Sequence, residues 1–175
     1  ENGKWLGWDP DYLIGKDIFN KTVGLVGCGS IGTKVAEILY HSFNCKILYA
    51  DLNVNHNIED VLHAEKVSIE DLLKNSDIVS LHVPLLPETT HMINKEKLNL
   101  MKKDAILINT ARGGVINETD LIEFLKANKH FQVGLDVFEN EPQVNTEFKN
   151  LPNLVMTPHI SSAKESARVE MAIAT

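Results

Sequence analysis

The chain has 175 residues, 43% of them hydrophobic, enough to bury one sizeable core and too apolar for a disordered chain. Seventeen basic residues against 24 acidic ones give a net charge of −7, which repels a polyanion and speaks against a nucleic-acid partner. No apolar run approaches the ~18 residues of a membrane-spanning helix, the polar start shows no secretory signal, and the two cysteines, Cys28 and Cys45, form neither a metal site nor a disulfide framework, so a cytoplasmic location is expected.

Residues 1–20 carry both tryptophans and no clean period, and read as an irregular arm leading into a domain over 21–175. Within that domain strand and helix patterns alternate. Residues 21–27 (KTVGLVG) form a short apolar run ending in glycine, as a buried parallel strand does. Ile31, Val35, Ile38 and Leu39 then recur at helical spacing. A second run, 46–51 (KILYAD), ends at an acid. Ser68, followed by Asp71, has the character of an N-cap for a short helix over 68–74. Further strand patterns lie at 77–83, 105–110, 131–137 and 153–157. Helices are expected over 94–101, 117–128 and 162–175, with Leu121, Ile122 and Leu125 sharing one face of the second. This order predicts an α/β fold: a Rossmann-like, doubly wound, mostly parallel sheet with helices on both faces.

Gly27-Cys28-Gly29-Ser30-Ile31-Gly32 is a G-x-G-x-x-G stretch that follows a predicted strand and opens a predicted helix. Gly27 allows the tight turn, Gly29 lets backbone approach a pyrophosphate, and Gly32 lets the helix pack closely on the sheet. The helix N-terminus at Ser30 and Ile31 offers free N–H groups and a positive dipole end to phosphates, and Ser30 can cap it. Asp51 follows about 20 residues on, at the end of the second strand, where a carboxylate accepts hydrogen bonds from the ribose hydroxyls of NAD and repels the 2′-phosphate of NADP. No arginine follows it. The expected cofactor is therefore NAD, with NADH preferred over NADPH. A helix N-terminus can lower a thiol pKa, but Cys28 reads as a small packing residue.

Four further segments extend this pattern: His82-Val83-Pro84-Leu85-Leu86-Pro87-Glu88-Thr89-Thr90, Asn109-Thr110-Ala111-Arg112-Gly113-Gly114, Gly134-Leu135-Asp136-Val137-Phe138-Glu139-Asn140-Glu141-Pro142 and Thr157-Pro158-His159-Ile160. With the glycine fingerprint, they closely resemble the NAD-binding domain of the D-isomer-specific 2-hydroxyacid dehydrogenases over essentially the whole chain. The resemblance implies hydride transfer between a nicotinamide and a 2-keto or 2-hydroxy acid. It implies that Arg112 binds the substrate carboxylate and carbonyl oxygen, that His159 is the general acid–base, and that Glu141 pairs with it. A histidine can donate the proton that carbonyl reduction requires, and a neighbouring carboxylate favours its protonated form. Asp136 matches a position near the nicotinamide and the catalytic pair, and is expected to contact the cofactor and modulate that pair. His82, Val83, Pro84, Thr90, Thr110, Ala111, Arg112 and His159 are expected to line the cofactor cleft, because ligands sit at strand carboxyl ends. No metal is expected. His41, His56, His63, His91 and His130 match no motif and are expected at the surface.

Gly3-Lys4-Trp5-Leu6-Gly7-Trp8-Asp9-Pro10 resembles the dimer-crossing arm of glyoxylate and hydroxypyruvate reductases. This implies a homodimer through the cofactor domain and arm, with Trp8 either shaping the partner's substrate pocket or simply packing at the interface. The chain departs from the family pattern at Cys28, at Ser30 (often arginine) and at Ser161 (often glycine). Members of the family carry a second, substrate-binding domain that this sequence does not show. The chain is therefore expected to bind NAD and to turn over poorly by itself. Corepressors of the C-terminal-binding-protein type share the Arg/Glu/His set, so an NAD-sensing binding module is the alternative. Within the enzyme class, 3-phosphoglycerate and D-lactate are alternative substrates.

Overall fold

The computed structural model describes residues 7–10 and 14–173. Its centre is a seven-stranded sheet in the order β3-β2-β1-β4-β5-β6-β7, parallel throughout. The strands are β1 (Thr22–Val26), β2 (Lys46–Ala50), β3 (Glu65–Lys66), β4 (Ile78–Leu81), β5 (Ile106–Asn109), β6 (Gln132–Leu135) and β7 (Leu154–Met156). The helices are α1 (Ser30–Phe43), α2 (His56–Leu62), α3 (Ile69–Asn75), α4 (Lys95–Leu100), α5 (Glu118–Ala127) and α6 (Glu165–Ile173). Parallel neighbours need helical crossovers, and both faces of such strands must be covered, which explains the apolar runs read from the sequence. The strand order reverses between β1 and β4, so a crevice opens at the carboxyl ends of those two strands.

Two packed clusters hold the sheet. One joins Val23, Leu25, Ile47 and Tyr49 to Ala36 of α1 and to Ile58 and Leu62 of α2. The other joins Val79, Leu81 and Leu107 to Leu72 of α3, Leu98 of α4, and Leu121 and Leu125 of α5. Each fully buried leucine or isoleucine contributes roughly 1.5–3 kcal/mol relative to an exposed one. Ser68 caps its helix as expected, accepting from the Asp71 N–H, and Asn94 and Asn117 cap α4 and α5 in the same way, accepting from Lys97 and Asp120.

Several expectations change. The buried face of α1 is Gly32 and Ala36, while Ile31 and Ile38 of the expected stripe are exposed. A Cβ on Gly32 would overlap the Gly27 carbonyl, so the helix lies too close to the strand end for large side chains to fit between them. Gly29, not Ser30, is the N-cap, and no side chain caps α1. The segment after Asp51 folds into α2 and β3, which carry too few apolar residues to show a clear period. The last helix starts at Glu165 rather than 162, and positions 174–175 lie outside the described residues. Gly3 to Leu6 of the arm motif also lie outside them, whereas Trp8 is described and is 86% exposed. Among the described residues no helix is long and apolar enough to cross a membrane.

Candidate active site

The glycine loop leaves β1 into α1. Gly27 has φ +90°, and a Cβ there would stand 2.9 Å from the His82 carbonyl oxygen, so both conformation and space require glycine. Around Gly29 a Cβ would meet nothing within 4 Å, which leaves open space above the helix end. α1 has no acid in its first turn, whereas α2, α3, α4, α5 and α6 each have at least one. Its N–H groups and positive dipole end are thus left for an outside anion, and the loop fits a dinucleotide pyrophosphate. Ser30 and Ile31, both exposed, are the first residues of that helix.

Asp51 directly follows β2, beside this loop. Its Oδ2 accepts the Cys28 N–H at 2.7 Å and its Oδ1 the Asn53 N–H at 3.1 Å. Asn55 donates to the Cys28 carbonyl at 2.9 Å and to Thr33 Oγ1 at 3.0 Å. The Cys28 peptide is therefore held from both sides. A groove of about 290 Å³ opens here, lined by Cys28, Gly29, Asp51, Asn53, Val54, Asn55 and His56. It suits the ribose end of a nucleotide. Burial, then the Asp51 charge, pushes the Cys28 thiol up to about 11, which overrides the lowering a helix N-terminus exerts. Asn55 was not singled out in the sequence, where an asparagine before a helix reads only as a cap.

Arg112, Glu141 and His159 follow β5, β6 and β7 at the same sheet edge. Glu141 Oε2 lies 2.7 Å from His159 Nδ1, while its Oε1 accepts the Phe138 N–H at 2.9 Å. A carboxylate only accepts, so the shared proton is carried on Nδ1 and Nε2 is left for other chemistry. The hydrogen bond from His159, then that from Phe138, holds the Glu141 carboxyl below the usual carboxylate range. The His159 side chain is 50% exposed, and Arg112 is exposed with Nη1 donating to the Ala111 carbonyl at 2.6 Å. Buried Asn109 accepts from the Ala111 N–H and donates to the Arg112 carbonyl, both at 3.0 Å, so it fixes the backbone around Arg112. Gly113 packs on the Phe138 carbonyl, which brings the Arg112 loop against the Glu141 loop.

Asp136, the expected cofactor contact and modulator of the catalytic pair, is 3% exposed and turned onto the His159 loop: it accepts from the hydroxyls of Thr157 and Ser161 and from the N–H groups of Ile160 at 2.9 Å and Ser161 at 2.8 Å. Its carboxylate is fully occupied by protein donors. Burial would raise its pKa, but the hydrogen bonds from Ser161, Thr157 and Ile160 outweigh it and hold the carboxyl well below its usual range.

His82 and Val83 are half-buried and Pro84 exposed just after β4, next to the glycine loop. Burial pushes the His82 pKa down. Thr110 is exposed and Ala111 half-buried after β5. Thr90 lies further along the loop after β4, its hydroxyl donating to the Leu86 carbonyl at 2.8 Å. The five histidines outside the motifs are all exposed, and His91 pairs with Glu139 at 3.0 Å. No metal-holding group of His, Cys, Asp or Glu occurs among the described residues.

The fold, with its open glycine turn and the carboxylate closing the second strand, defines a dinucleotide-binding domain of the Rossmann class. Residues 1–161 match the family model of the D-isomer specific 2-hydroxyacid dehydrogenase NAD-binding domain, and the chain belongs to that family. It is 46% identical over 175 residues to a glyoxylate reductase of Pyrococcus horikoshii, covering 98% of this chain and 52% of that protein. A crystal structure of a glyoxylate reductase from Paecilomyes thermophila superposes with a TM-score of 0.86 at 37% identity, over 95% of this chain and 50% of that one. The D-lactate dehydrogenase of Lactobacillus jensenii, solved with NAD+, gives a TM-score of 0.82 at 34% identity, over 94% of this chain and 53% of that one. The chain thus spans about half the length of the curated relatives it matches.

Proposed function

We propose that this chain is the cofactor half of an NADH-dependent 2-keto acid reductase, acting on glyoxylate or hydroxypyruvate and working as a cytoplasmic homodimer. The observation that carries the reading is the 2.7 Å Glu141–His159 pair on the same sheet edge as Arg112. The names of the relatives favour an enzyme over an NAD-sensing binding module. The exposure of Arg112 and of the His159 ring argues that a second lobe closes over them, excluding water and orienting substrate.

Gly29, Ser30 and Ile31 would hold the pyrophosphate, Asp51 the adenosine ribose, and the residues after β4 and β5 the nicotinamide end. When bound, the cofactor supplies the hydride that reduces the carbonyl carbon. Arg112 offers a planar fork that binds the substrate carboxylate and polarises the carbonyl. His159 Nε2 gives its proton to the developing alkoxide, which becomes the hydroxyl of the product. Glu141 orients the ring and stabilises the imidazolium from which that proton leaves. Asp51 would repel the extra phosphate of NADPH, which supports NADH as the preferred cofactor. Trp8, exposed on the arm, is available to a partner subunit's pocket.

The test is NADH oxidation by the full-length protein, with glyoxylate, hydroxypyruvate, pyruvate and phosphohydroxypyruvate compared by kcat/KM. His159→Ala is expected to lower kcat by about 10²–10⁴-fold. Tight NADH binding with no turnover on any of the four would overturn the reading.

A further inference from the structure

The 157–161 loop holds His159 in a conformation that its own residues do not prefer. His159 has φ +51°, in the left-handed region that a histidine seldom adopts. Within the loop, the His159 N–H reaches only the Thr157 carbonyl, at 3.1 Å. The stronger tie is to Asp136, which directly follows β6 and is anchored to the sheet: the Asp136 N–H donates to the Asn109 carbonyl at 3.0 Å. Four donors converge on its carboxylate, two of them hydroxyls and two of them backbone N–H groups. The donors flank His159, from Thr157 on one side and from Ile160 and Ser161 on the other. The carboxylate thus closes the loop around the histidine.

We propose that Ser161 is a positioning residue: its hydroxyl completes the clamp that fixes the His159 loop on Asp136 and so keeps Nδ1 of His159 on Glu141. The inference rests on the reading of Glu141 and His159 as the acid–base pair. At Ser161 an alanine or a glycine would still present the backbone N–H but leave one lobe of the carboxylate without its hydroxyl donor. Asp136 would then be less firmly held as an anion, and the loop could turn His159 away from Glu141. The Asp136 charge also acts on Glu141, weakly opposing its ionisation, so the clamp and the pair are electrostatically linked. The Ser161 residue is exposed, and its hydroxyl can be removed without opening the core.

The experiment uses the 175-residue chain, labelled for NMR at aspartate carboxyl carbons and histidine ring nitrogens. Two signals are read at neutral pH, where the chain stays folded: the carboxyl carbon shift of Asp136, which reports the hydrogen bonds it accepts, and the exchange rate of the His159 Nδ1 proton. Ser161→Ala and Ser161→Gly are expected to shift the Asp136 carboxyl resonance and to speed exchange of the Nδ1 proton at least about tenfold, with the amide spectrum of the sheet unchanged. Ser161→Thr, which keeps the hydroxyl, is expected to restore both signals. Unchanged signals in the alanine and glycine variants would overturn the proposal, as would a failure of threonine to rescue them. A loop with merely structural value would lower the melting temperature and leave both signals in place, which also counts against the proposal. Because no signal depends on turnover, an intact clamp in an enzyme inactive on every 2-keto acid would defeat the functional reading alone.

Discussion

The main-chain N–H of Cys28 donates to Asp51 Oδ2 at 2.7 Å, so the glycine turn and the end of β2 are joined before any nucleotide arrives. Asp51 thereby braces the turn, and under the proposed function it also meets a ribose. Asp51→Ala removes both, and is expected to cost about 1 kcal/mol of stability and at least about tenfold in NADH affinity. Asp51→Asn keeps an acceptor for Cys28 but loses the charge, so its stability should stay closer to wild type while discrimination against NADPH shrinks. Calorimetric titration with both nucleotides decides this, and equal affinity of the wild type for NADH and NADPH would refute the assigned role.

Gly113→Ala puts a methyl into the Phe138 carbonyl group, a backbone atom set that cannot step aside. The two loops it separates carry Arg112 and Glu141. The expected loss is about 2–3 kcal/mol in urea unfolding. In the full-length protein kcat is expected to fall with it. Gly29→Ala, in open space, is expected to leave stability within about 1 kcal/mol while weakening nucleotide binding.

Asp136 and Glu141 both titrate below their ordinary range, Asp136 despite its burial and Glu141 chiefly through His159. A carboxylate with a depressed folded pKa binds fewer protons folded than unfolded. Its contribution is present above the unfolded value, near pH 4, and is lost as pH falls through the folded value. Stability is therefore expected to hold from neutral pH to about pH 5 and to decline steadily below about pH 4. Asp136→Asn is expected to be less stable at pH 7 and to show a shallower decline in acid. Urea unfolding across that range checks it, and an equally steep acid decline in the variant would remove Asp136 from the explanation.

Cys28 is 5% exposed with its thiol pushed up to about 11, and Cys45 is 1% exposed with its thiol also raised by burial. Thiolate is the reactive form, so neither should be labelled quickly near neutral pH. In native buffer a disulfide reagent is expected to react at the rate of unfolding, and in denaturant to label both sulfurs promptly. Fast labelling of Cys28 in the folded chain would contradict its packing role.

Ser68 announced its helix because a cap is a local arrangement, complete within four residues. α2 went unread although Asn55 caps it by accepting the Ile58 N–H, since about two turns with only two buried positions show no clear period. Ile31 and Ile38 misled for a different reason. Helical spacing shows that residues share a face, but only the distance of α1 from the sheet decides which face is covered, and Gly32 sets that distance.

By itself, then, the sequence determined the alternation of strands and helices and the glycine turn, because periodicity, caps and backbone freedom act over a few neighbouring residues, while its resemblance to a known family supplied the candidates Arg112, Glu141 and His159. Only the tertiary structure decided how those candidates are held and gave the expected pair its geometry. The Glu141–His159 pair, the seat of Gly113 on Phe138 and the turning of Asp136 onto Thr157 and Ser161 each join segments that follow different strands. Such contacts follow from the sheet's strand order and register, and from the competition for hydrogen-bond donors around a buried carboxylate, which no local pattern records.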